Sequence, residues 1–358
     1  MLRVLVRRSR DVEYFTNDHA RELDGLRDGA PGWWLRGAGD LSRPEDVARV
    51  FTSSDRAAVV GYDIVVAAPR PVSILVALDP DHAADVIRAH RASVSAAITY
   101  LEDRALLVRE QRENVRRDVP ARWERIASYT HGINRHGEPH LHDHVLVGAR
   151  PEHVATVLDS RSLFAHVPAA DALYRSSLRY ELRSRTPWTA WRSFKGVEHV
   201  RDLDEGYRAL WGGHHADRGQ KQLWERHDVV ATWRHDLERW ESQGVVASPA
   251  RTRDEFDEHS FSGAFEGQFA VARRHVVAAW ANAAVYGQAP GEMTRSIEAL
   301  YPELHASRGI RELMIGVGAA RRISTARELG ARPLRVEERD RWIQYSRERS
   351  GSTRDRSR

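Results

Sequence analysis

The first half of the chain contains short runs of alternating or wholly apolar residues, which are typical of strands. In the first run, Leu2, Val4 and Val6 alternate with polar neighbours, and the later runs are rich in β-branched residues. Between these runs, residues 81–112 repeat apolar positions at helical spacing and predict one long helix. The combination predicts an α/β fold. Strands are predicted at residues 2–8, 63–68, 72–78, 125–134 and 141–149.

The second half of the chain changes to helical periodicity. We predict helices at residues 168–184, 227–243, 266–286, 293–303 and 306–322. Residues 345–358 are rich in Ser, Arg and Gly, so we expect a disordered basic tail there. The pattern therefore predicts a core at residues 1–190, a helical part at residues 191–344 and this tail.

Composition limits the chemistry that is available to the chain. Of 358 residues 41% are hydrophobic and none is cysteine, so His, Asp or Glu must hold any metal. No apolar run is long enough for a membrane span or a signal peptide, and we expect a cytoplasmic protein without membrane contact. Arginine carries nearly all of the positive charge. A GC-rich genome is the simplest explanation, although arginine also suits phosphate.

Three histidines occupy alternate positions in one short segment at the start of the last predicted strand, namely His140, His142 and His144. Side chains two residues apart share a face of a strand and lie roughly 6.5–7 Å apart along it. Two such imidazoles can reach one metal ion, and His131 in the preceding predicted strand can supply a third. A histidine site with open positions is typical of a catalytic metal. The spacing leaves open whether His140 or His144 accompanies His142.

Two other residues have a functional interpretation beside a structural one. Asp63 opens a predicted strand, where an acid often forms a turn. Its functional alternative is a carboxylate that orients a ligating imidazole or takes a proton from a nucleophile. Tyr14 lies before Phe15, a pattern that by itself is more typical of packing.

Together these segments resemble the conjugative relaxases of the TrwC/TraI (MobF) type, within the HUH endonuclease class. Residues 131–147 are similar, without a gap, to the family pattern His-x-x-Ser-Arg-x-x-x-Pro-x-Leu-His-Thr-His. Residues 61–73 resemble its strand Gly-Phe/Tyr-Asp-Leu-Thr-Phe-Ser-Ala-Pro-Lys-Ser-Val-Ser, and residues 14–18 resemble its Tyr-Tyr-Thr-Asp segment. The resemblance covers about residues 1–190.

The resemblance implies a central antiparallel sheet flanked by helices, with a helical C-terminal part. We expect two ligand histidines on a middle strand, the acid on an adjacent strand and the helices on one face. His140 falls at a variable position of the family pattern. The resemblance implies a nucleophile, an acid, three metal ligands and two DNA-binding arginines, namely Tyr14, Asp63, His131, His142, His144, Arg70 and Arg135.

The implied activity is site- and strand-specific nicking of single-stranded DNA through a 5′-phosphotyrosyl intermediate, which initiates conjugative mobilisation. The implied cofactor is Mg or Mn, although three imidazoles also suit Zn, Co or Ni. The expected partner is single-stranded DNA at an origin of transfer with nearby duplex or hairpin, and a separate helicase or coupling protein is left open. Tryptophans that could stack on bases are Trp33, Trp34, Trp188 and Trp191.

Departures from the family pattern bear on these expectations. Asp143 stands where the family has Thr, and an acid between two ligands could change the metal preference or the affinity for DNA. No tyrosine lies between Tyr14 and Tyr62, so strand transfer by a second tyrosine soon after the first is not expected. Two alternatives stay open: a metal-dependent phosphodiester hydrolase without a covalent intermediate, and a non-catalytic DNA-binding relaxase remnant.

Overall fold

The computed structural model describes most of the chain. The described residues are 1–8, 32–51, 59–79, 81–112, 115–134, 136–151, 156–192, 196–200, 226–241, 255–266, 268, 270–304 and 314–316. The strands are β1 (Leu2–Arg7), β2 (Trp33–Arg36), β3 (Gly61–Ala67), β4 (Leu107–Arg112), β5 (Val115–Pro120), β6 (Ile126–Ile133), β7 (Pro139–Gly148), β8 (Ala190–Arg192), β9 (Glu198–Val200), β10 (Ala270–Ala272) and β11 (Met314–Gly316). The helices are α1 (Pro44–Ala48), α2 (Arg70–Leu78), α3 (Ala83–Arg104), α4 (Ser160–Arg185), α5 (Arg226–Glu241), α6 (Glu258–Gly263), α7 (Arg273–Ala283) and α8 (Pro290–Leu300), followed by a 3-10 turn at Pro302–Leu304.

Five of these strands form an antiparallel sheet in the order β1-β3-β7-β6-β2. The strand β7 is central, and its first half alternates between buried odd positions and partly exposed even positions. This alternation confirms the prediction that the histidines share one face while Leu141, Val145 and Val147 share the other. Asp63 lies on the adjacent strand β3, as expected.

The long helices cover the face of the sheet opposite the histidines. Ile64 pairs with Val145 across β3 and β7, and both belong to a buried core together with Val94 and Ile98 of α3. At the edge of the sheet, the backbone N–H of Leu2 donates to the carboxylate of Asp171 on α4 at 2.8 Å. The prediction of an antiparallel sheet flanked by helices is therefore confirmed. The long helices lie on one face, whereas the short helix α1 lies by the histidine face.

On the histidine face, the described residues form a small apolar cluster at one end of the sheet. This cluster includes Phe51, Val60 and Leu146, next to the helix α1. Gly61 at the start of β3 has no space for a side chain, because an added Cβ would lie 2.5 Å from both the Phe51 ring and the carbonyl oxygen of Val147. The close approach of Phe51 and of the Val147 carbonyl to the backbone explains why residue 61 is glycine.

The predicted strand at residues 72–78 is wrong, because these residues belong to the helix α2. Pro71 lies in the first turn, where the fixed φ of proline suits a helix and its missing N–H leaves no bond unmade. Val72, Ile74 and Leu75 are all buried, at 2%, 0% and 0% exposed. A short run that is apolar on every side does not separate strand from helix by its period.

The predicted helix at residues 81–112 is correct only for its first two thirds. The helix α3 ends at Arg104, and Leu107–Arg112 form the strand β4. Polar and charged residues of β4 pair with β5 in a two-stranded ribbon. Pairing with the next strand along the chain, β5, decides this change, which the helical spacing of apolar residues did not indicate.

Where the structure describes the second half, its helical character is largely confirmed. The predicted helix at 168–184 lies inside α4, the one at 227–243 corresponds to α5, and the one at 293–303 to α8. Within 266–286, α7 follows the short strand β10. The predicted helix at 306–322 is wrong in its described part, because Met314–Gly316 form a strand that pairs with β10.

A buried ion pair links the two parts of the predicted organisation. Arg179 of α4 is 2% exposed and lies 2.7 Å from the carboxylate of Glu198. It also donates to the carbonyl oxygens of Ala281 and Ala284 at 2.9 Å. The helix α7 is thus tied directly to α4. The predicted tail at residues 345–358 lies outside the described residues. Among the described helices, none is both long and apolar enough to span a membrane.

Candidate metal centre

Three histidines from two neighbouring strands converge on one point. His131 of β6 is the register partner of His142 on β7, and His144 follows on the same face. One nitrogen of each ring lies within 4.8 Å of the others. The ring centroids are 5.0 Å apart for His131–His142 and for His131–His144, and 5.4 Å apart for His142–His144. The sheet register therefore builds a cluster that can hold a metal.

Hydrogen bonds fix which nitrogen of two rings faces the cluster. Nδ1 of His142 lies 2.8 Å from the carbonyl oxygen of His140, and Nδ1 of His144 lies 2.9 and 3.0 Å from the two carboxylate oxygens of Asp63. Both partners only accept hydrogen bonds, so each Nδ1 carries the proton. The Nε2 lone pairs of His142 and His144 are then available to a cation, as is usual for metal-ligating histidine.

Burial favours the neutral form of His142 and of its neighbour His140. Burial lowers the pKa of His142 well below its ordinary value, and the nearby His140 and His144 lower it further. Burial, with a smaller contribution from Arg70, lowers the pKa of His140 to about 4. A neutral imidazole is the form that binds a metal.

His140 lies beside the cluster rather than in it. Its ring centroid is 4.7 Å from that of His142, but the converging set in the described part of the chain is His131, His142 and His144. The backbone of His140 orients His142 by accepting its Nδ1 hydrogen bond. The geometry thus selects one of the pairs that the sequence spacing left open.

Asp63 is a buried carboxylate with two partners. It is 0% exposed, it accepts from His144, and it forms an ion pair with Arg7 of β1. Burial by itself raises the pKa of Asp63, but His144 and then Arg7 outweigh burial and hold it below its usual value. Asp63 does not act as a turn former, because its side chain accepts a hydrogen bond from the imidazole of His144.

Sequence reasoning missed Arg7. The alternation in β1 already placed Arg7 on its polar face, but the partner strand was unknown. The register pairs Leu5 with Asp63 and Arg7 with Gly61, so both Arg7 and Asp63 lie on the histidine face. The carboxylate of Asp63 is therefore buried between the guanidinium of Arg7 and the imidazole of His144.

Asp143 lies on the opposite face of β7 from its neighbours His142 and His144. It is 0% exposed and accepts a hydrogen bond from Ser128 at 2.7 Å. Burial raises the pKa of Asp143, but contacts with His90, Ser128 and Thr130 outweigh burial and hold it below its usual value. Asp143 is therefore not a member of the cluster, and it cannot change metal preference as a direct ligand.

The turn before β7 is held from two helices. Arg70 at the start of α2 donates to the carbonyl oxygen of Pro139 at 2.9 Å and lies 3.7 Å from Glu138. Trp233 of α5 donates from its indole N–H to the carbonyl oxygen of Gly137 at 2.7 Å. Gly137 has a φ of +75°, which favours glycine at this position. The helix α5 therefore packs on the turn that leads into β7, the strand that carries His142 and His144.

Not every predicted residue can be placed. Tyr14 and Arg135 lie outside the described residues. Arg70 has 27% of its side chain exposed, so part of it faces solvent. The four tryptophans considered for stacking have structural roles. Trp33, Trp34 and Trp188 each donate an indole hydrogen bond, to Thr130, Gly39 and Asp79 respectively. Trp191 is buried, with 2% of its surface exposed.

Comparisons with known proteins agree with this arrangement. No curated protein sequence matches the chain. Three solved structures of the conjugative relaxase TrwC have the same fold: a copper-bound complex with oriT DNA (17% identity, TM-score 0.55), a metal-bound complex with oriT DNA (16%, 0.54) and a complex with a 27-mer DNA comprising the recognition hairpin and the cleavage site (17%, 0.52). Each similarity covers 67% of this chain and 99% of the TrwC chain. The sequence profile of the TrwC relaxase family matches residues 13–211, more than half of the 358 residues. The chain therefore belongs to the TrwC relaxase family.

Proposed function

We propose that this chain nicks and transfers one strand of DNA at an origin of transfer, with a divalent metal ion held by His131, His142 and His144. The observation that carries the proposal is this histidine cluster, backed by the Asp63 carboxylate 2.9 Å from Nδ1 of His144, in a chain of the TrwC relaxase family. The similar TrwC structures are complexes with oriT DNA, one of them with a recognition hairpin, which supports a substrate that combines single-stranded and hairpin DNA.

The donor set fits a divalent cation. Three imidazoles from two adjacent strands converge, and three protein ligands leave coordination positions for a substrate. When bound, such an ion supplies Lewis-acid stabilisation of the charge that develops on a phosphate in the transition state. We propose Mg or Mn on the family resemblance. Zn, Co or Ni suit an all-nitrogen donor set better. Titration of the protein with each of these five ions compares their affinities.

Tyr14 is the proposed nucleophile. Its phenolic oxygen forms a bond to phosphorus while the bond from phosphorus to the 3′-oxygen of the preceding nucleotide breaks. The phenol loses one proton and the 3′-oxygen gains one, so the step is balanced in protons. One phosphoester replaces another, and the reaction is therefore close to balance and reversible, as religation requires.

Asp63 and Arg7 prepare the site rather than react. The lowered pKa of Asp63 makes its carboxylate a weak acceptor for the proton of a phenol, whose ordinary pKa is about 10. Its contacts support a different role, which is to fix the ring and tautomer of His144. Arg7 neutralises the buried carboxylate and keeps it in place.

The direct test is a denaturing gel. Purified protein is incubated with labelled single-stranded oligonucleotides from the neighbourhood of its own gene, with Mn or Mg and with chelator. We expect a covalent protein–DNA band that needs the metal and that Tyr14→Phe abolishes. Cleavage that persists in Tyr14→Phe would support the hydrolase instead. If the protein binds the DNA but does not cleave it with any of the tested ions, the result would support the non-catalytic remnant.

A further inference from the structure

We propose that Asp143 is a positioning residue for the metal-ligating histidines and that it acts from the opposite face of β7 through His90 and Tyr174. The inference rests on the proposed function, because it assumes that the cluster holds a metal. Asp143 departs from the family pattern, which has Thr at this place. The residues concerned are called the Asp143 network and are Asp143, His90, Tyr174, Ser128, Thr130 and Trp33.

The side chain of Asp143 links β7 by hydrogen bonds to three other elements. Its carboxylate accepts from Ser128 of β6 at 2.7 Å, from Nε2 of His90 on α3 at 3.0 Å and from the indole of Trp33 on β2 at 3.3 Å. The side chains of Asp143 and His90 are both 0% exposed. A carboxylate offers acceptor positions for all three donors, whereas a threonine hydroxyl has two lone pairs and must also donate.

A second layer of contacts fixes the donors. Nδ1 of His90 lies 2.8 Å from the hydroxyl of Tyr174 on α4, and Tyr174 is 0% exposed. Since His90 donates to the carboxylate from Nε2, its Nδ1 can accept from the Tyr174 hydroxyl, which gives one directed chain of hydrogen bonds. On the other side, Thr130 accepts from Nε of Arg91 at 3.0 Å and from the indole of Trp33 at 3.2 Å.

The position of this network in the strand gives it a role at the metal site. Asp143 lies between His142 and His144, so the same peptide units carry the buried carboxylate and the two ligands. A shift of β7 by one residue would bring the carboxylate to the histidine face and the histidines into the core. The shift would also take the carboxylate acceptor away from Ser128 and His90, and unpaired buried polar groups are costly. The network therefore locks the register in which His131, His142 and His144 converge.

A pair of tyrosines provides a matched test. Tyr174 contacts His90 across α4 and α3, and Tyr100 contacts Nδ1 of His166 across the same two helices at 2.9 Å. Tyr174→Phe and Tyr100→Phe each remove one buried hydroxyl from a histidine, but only Tyr174→Phe touches the Asp143 network. We expect Tyr174→Phe to weaken binding of Mn²⁺ and Co²⁺ about tenfold, the lower end of the effect usual for supporting groups around metal ligands. Tyr100→Phe should lower thermal stability similarly and leave metal affinity unchanged.

The spectrum of bound Co²⁺ separates positioning from general stability. Its visible absorption depends on the arrangement of the ligands and not on the stability of the fold. In Asp143→Asn, an amide N–H₂ replaces one acceptor oxygen, and we expect changed Co²⁺ bands together with weaker binding. Asp143→Thr, the residue of the family pattern, should restore more of the wild-type spectrum than Asp143→Asn, because its hydroxyl can still accept.

The outcomes distinguish this inference from the proposed function. If the wild-type chain binds neither Mn²⁺ nor Co²⁺, the proposed metal site fails and this inference fails with it. If the wild type binds both and Tyr174→Phe keeps wild-type affinity and spectrum, the positioning role is overturned while the proposed function stands. Should Asp143→Asn not fold, the comparison of Tyr174→Phe with Tyr100→Phe decides the question.

Discussion

His144 donates a hydrogen bond from Nδ1 to Asp63, whose two carboxylate oxygens lie 2.9 and 3.0 Å from that nitrogen. The bond crosses from β7 to β3, and Arg7 holds the carboxylate from β1. Three adjacent strands therefore combine to orient one imidazole. This contact makes the position of His144 depend on the sheet and not only on its own strand.

Asp63→Asn tests this contact. An amide presents one acceptor oxygen and no charge to His144 and Arg7, so we expect affinity for Mn²⁺ to fall about 10–100-fold. Titration calorimetry measures the affinity. Asp85→Asn is the control, because Asp85 lies on α3 with 29% of its side chain exposed and pairs with Arg88. Equal affinity in Asp63→Asn and the wild type would remove Asp63 from the metal site.

Metal binding should stabilise the fold through the histidine cluster. Because the ion binds the native state, an excess of 100 times Kd is expected to add about 2.7 kcal/mol to the free energy of unfolding. Thermal denaturation with and without Mn²⁺ measures the effect. We expect His142→Ala to abolish it and His82→Ala to retain it, since His82 is 40% exposed and pairs with Asp79. A full metal effect in His142→Ala would mean that the ion binds elsewhere.

Of the two arginines proposed to bind DNA, Arg70 lies within the described residues. Its side chain is partly exposed beside the turn that leads into β7. If it contacts one phosphate, Arg70→Ala should weaken binding of a single-stranded oligonucleotide and reduce the slope of log K against log salt by about 0.7. Fluorescence anisotropy over a salt series gives the slope. The control is Arg88→Ala, an arginine on α3 with 59% exposure. An unchanged slope would restrict Arg70 to holding Pro139 and Glu138.

Arg179 should be a main contributor to the packing of α7 on α4. Its removal leaves the buried Glu198 with only the more distant Arg192, whose Nε lies 4.0 Å away. It also takes one donor from each of the carbonyl oxygens of Ala281 and Ala284. We expect Arg179→Ala to lower the free energy of unfolding by about 3–5 kcal/mol, as is usual when one partner of a buried ion pair is lost. Urea unfolding measures the loss, and Arg183→Ala on the exposed side of the same helix is the control. A loss no larger than in the control would show that the ion pair contributes little.

The local pattern predicted some elements and misassigned others. Alternation identified β1 and β7, and in the first half of β7 one face is buried while the other is partly exposed. The same reasoning failed for residues 72–78, which are apolar except for Ser73 and belong to the helix α2. It also failed for β4 and for Met314–Gly316, because each is a strand only through its partner. Local periodicity has no information about such partners.

The sequence by itself determined the spacing of His142 and His144, and a period of two puts them on one face of any strand. It also determined the family, through the residues between His131 and Val147. Only the tertiary structure decided that His131 completes the set, that Arg7 shares Asp63 with His144, and that Asp143 faces away from the metal into a network with His90. Those contacts join strands and helices that are far apart in the chain. They depend on sheet order and register, which are set by packing of the whole core and not by any local stretch of sequence.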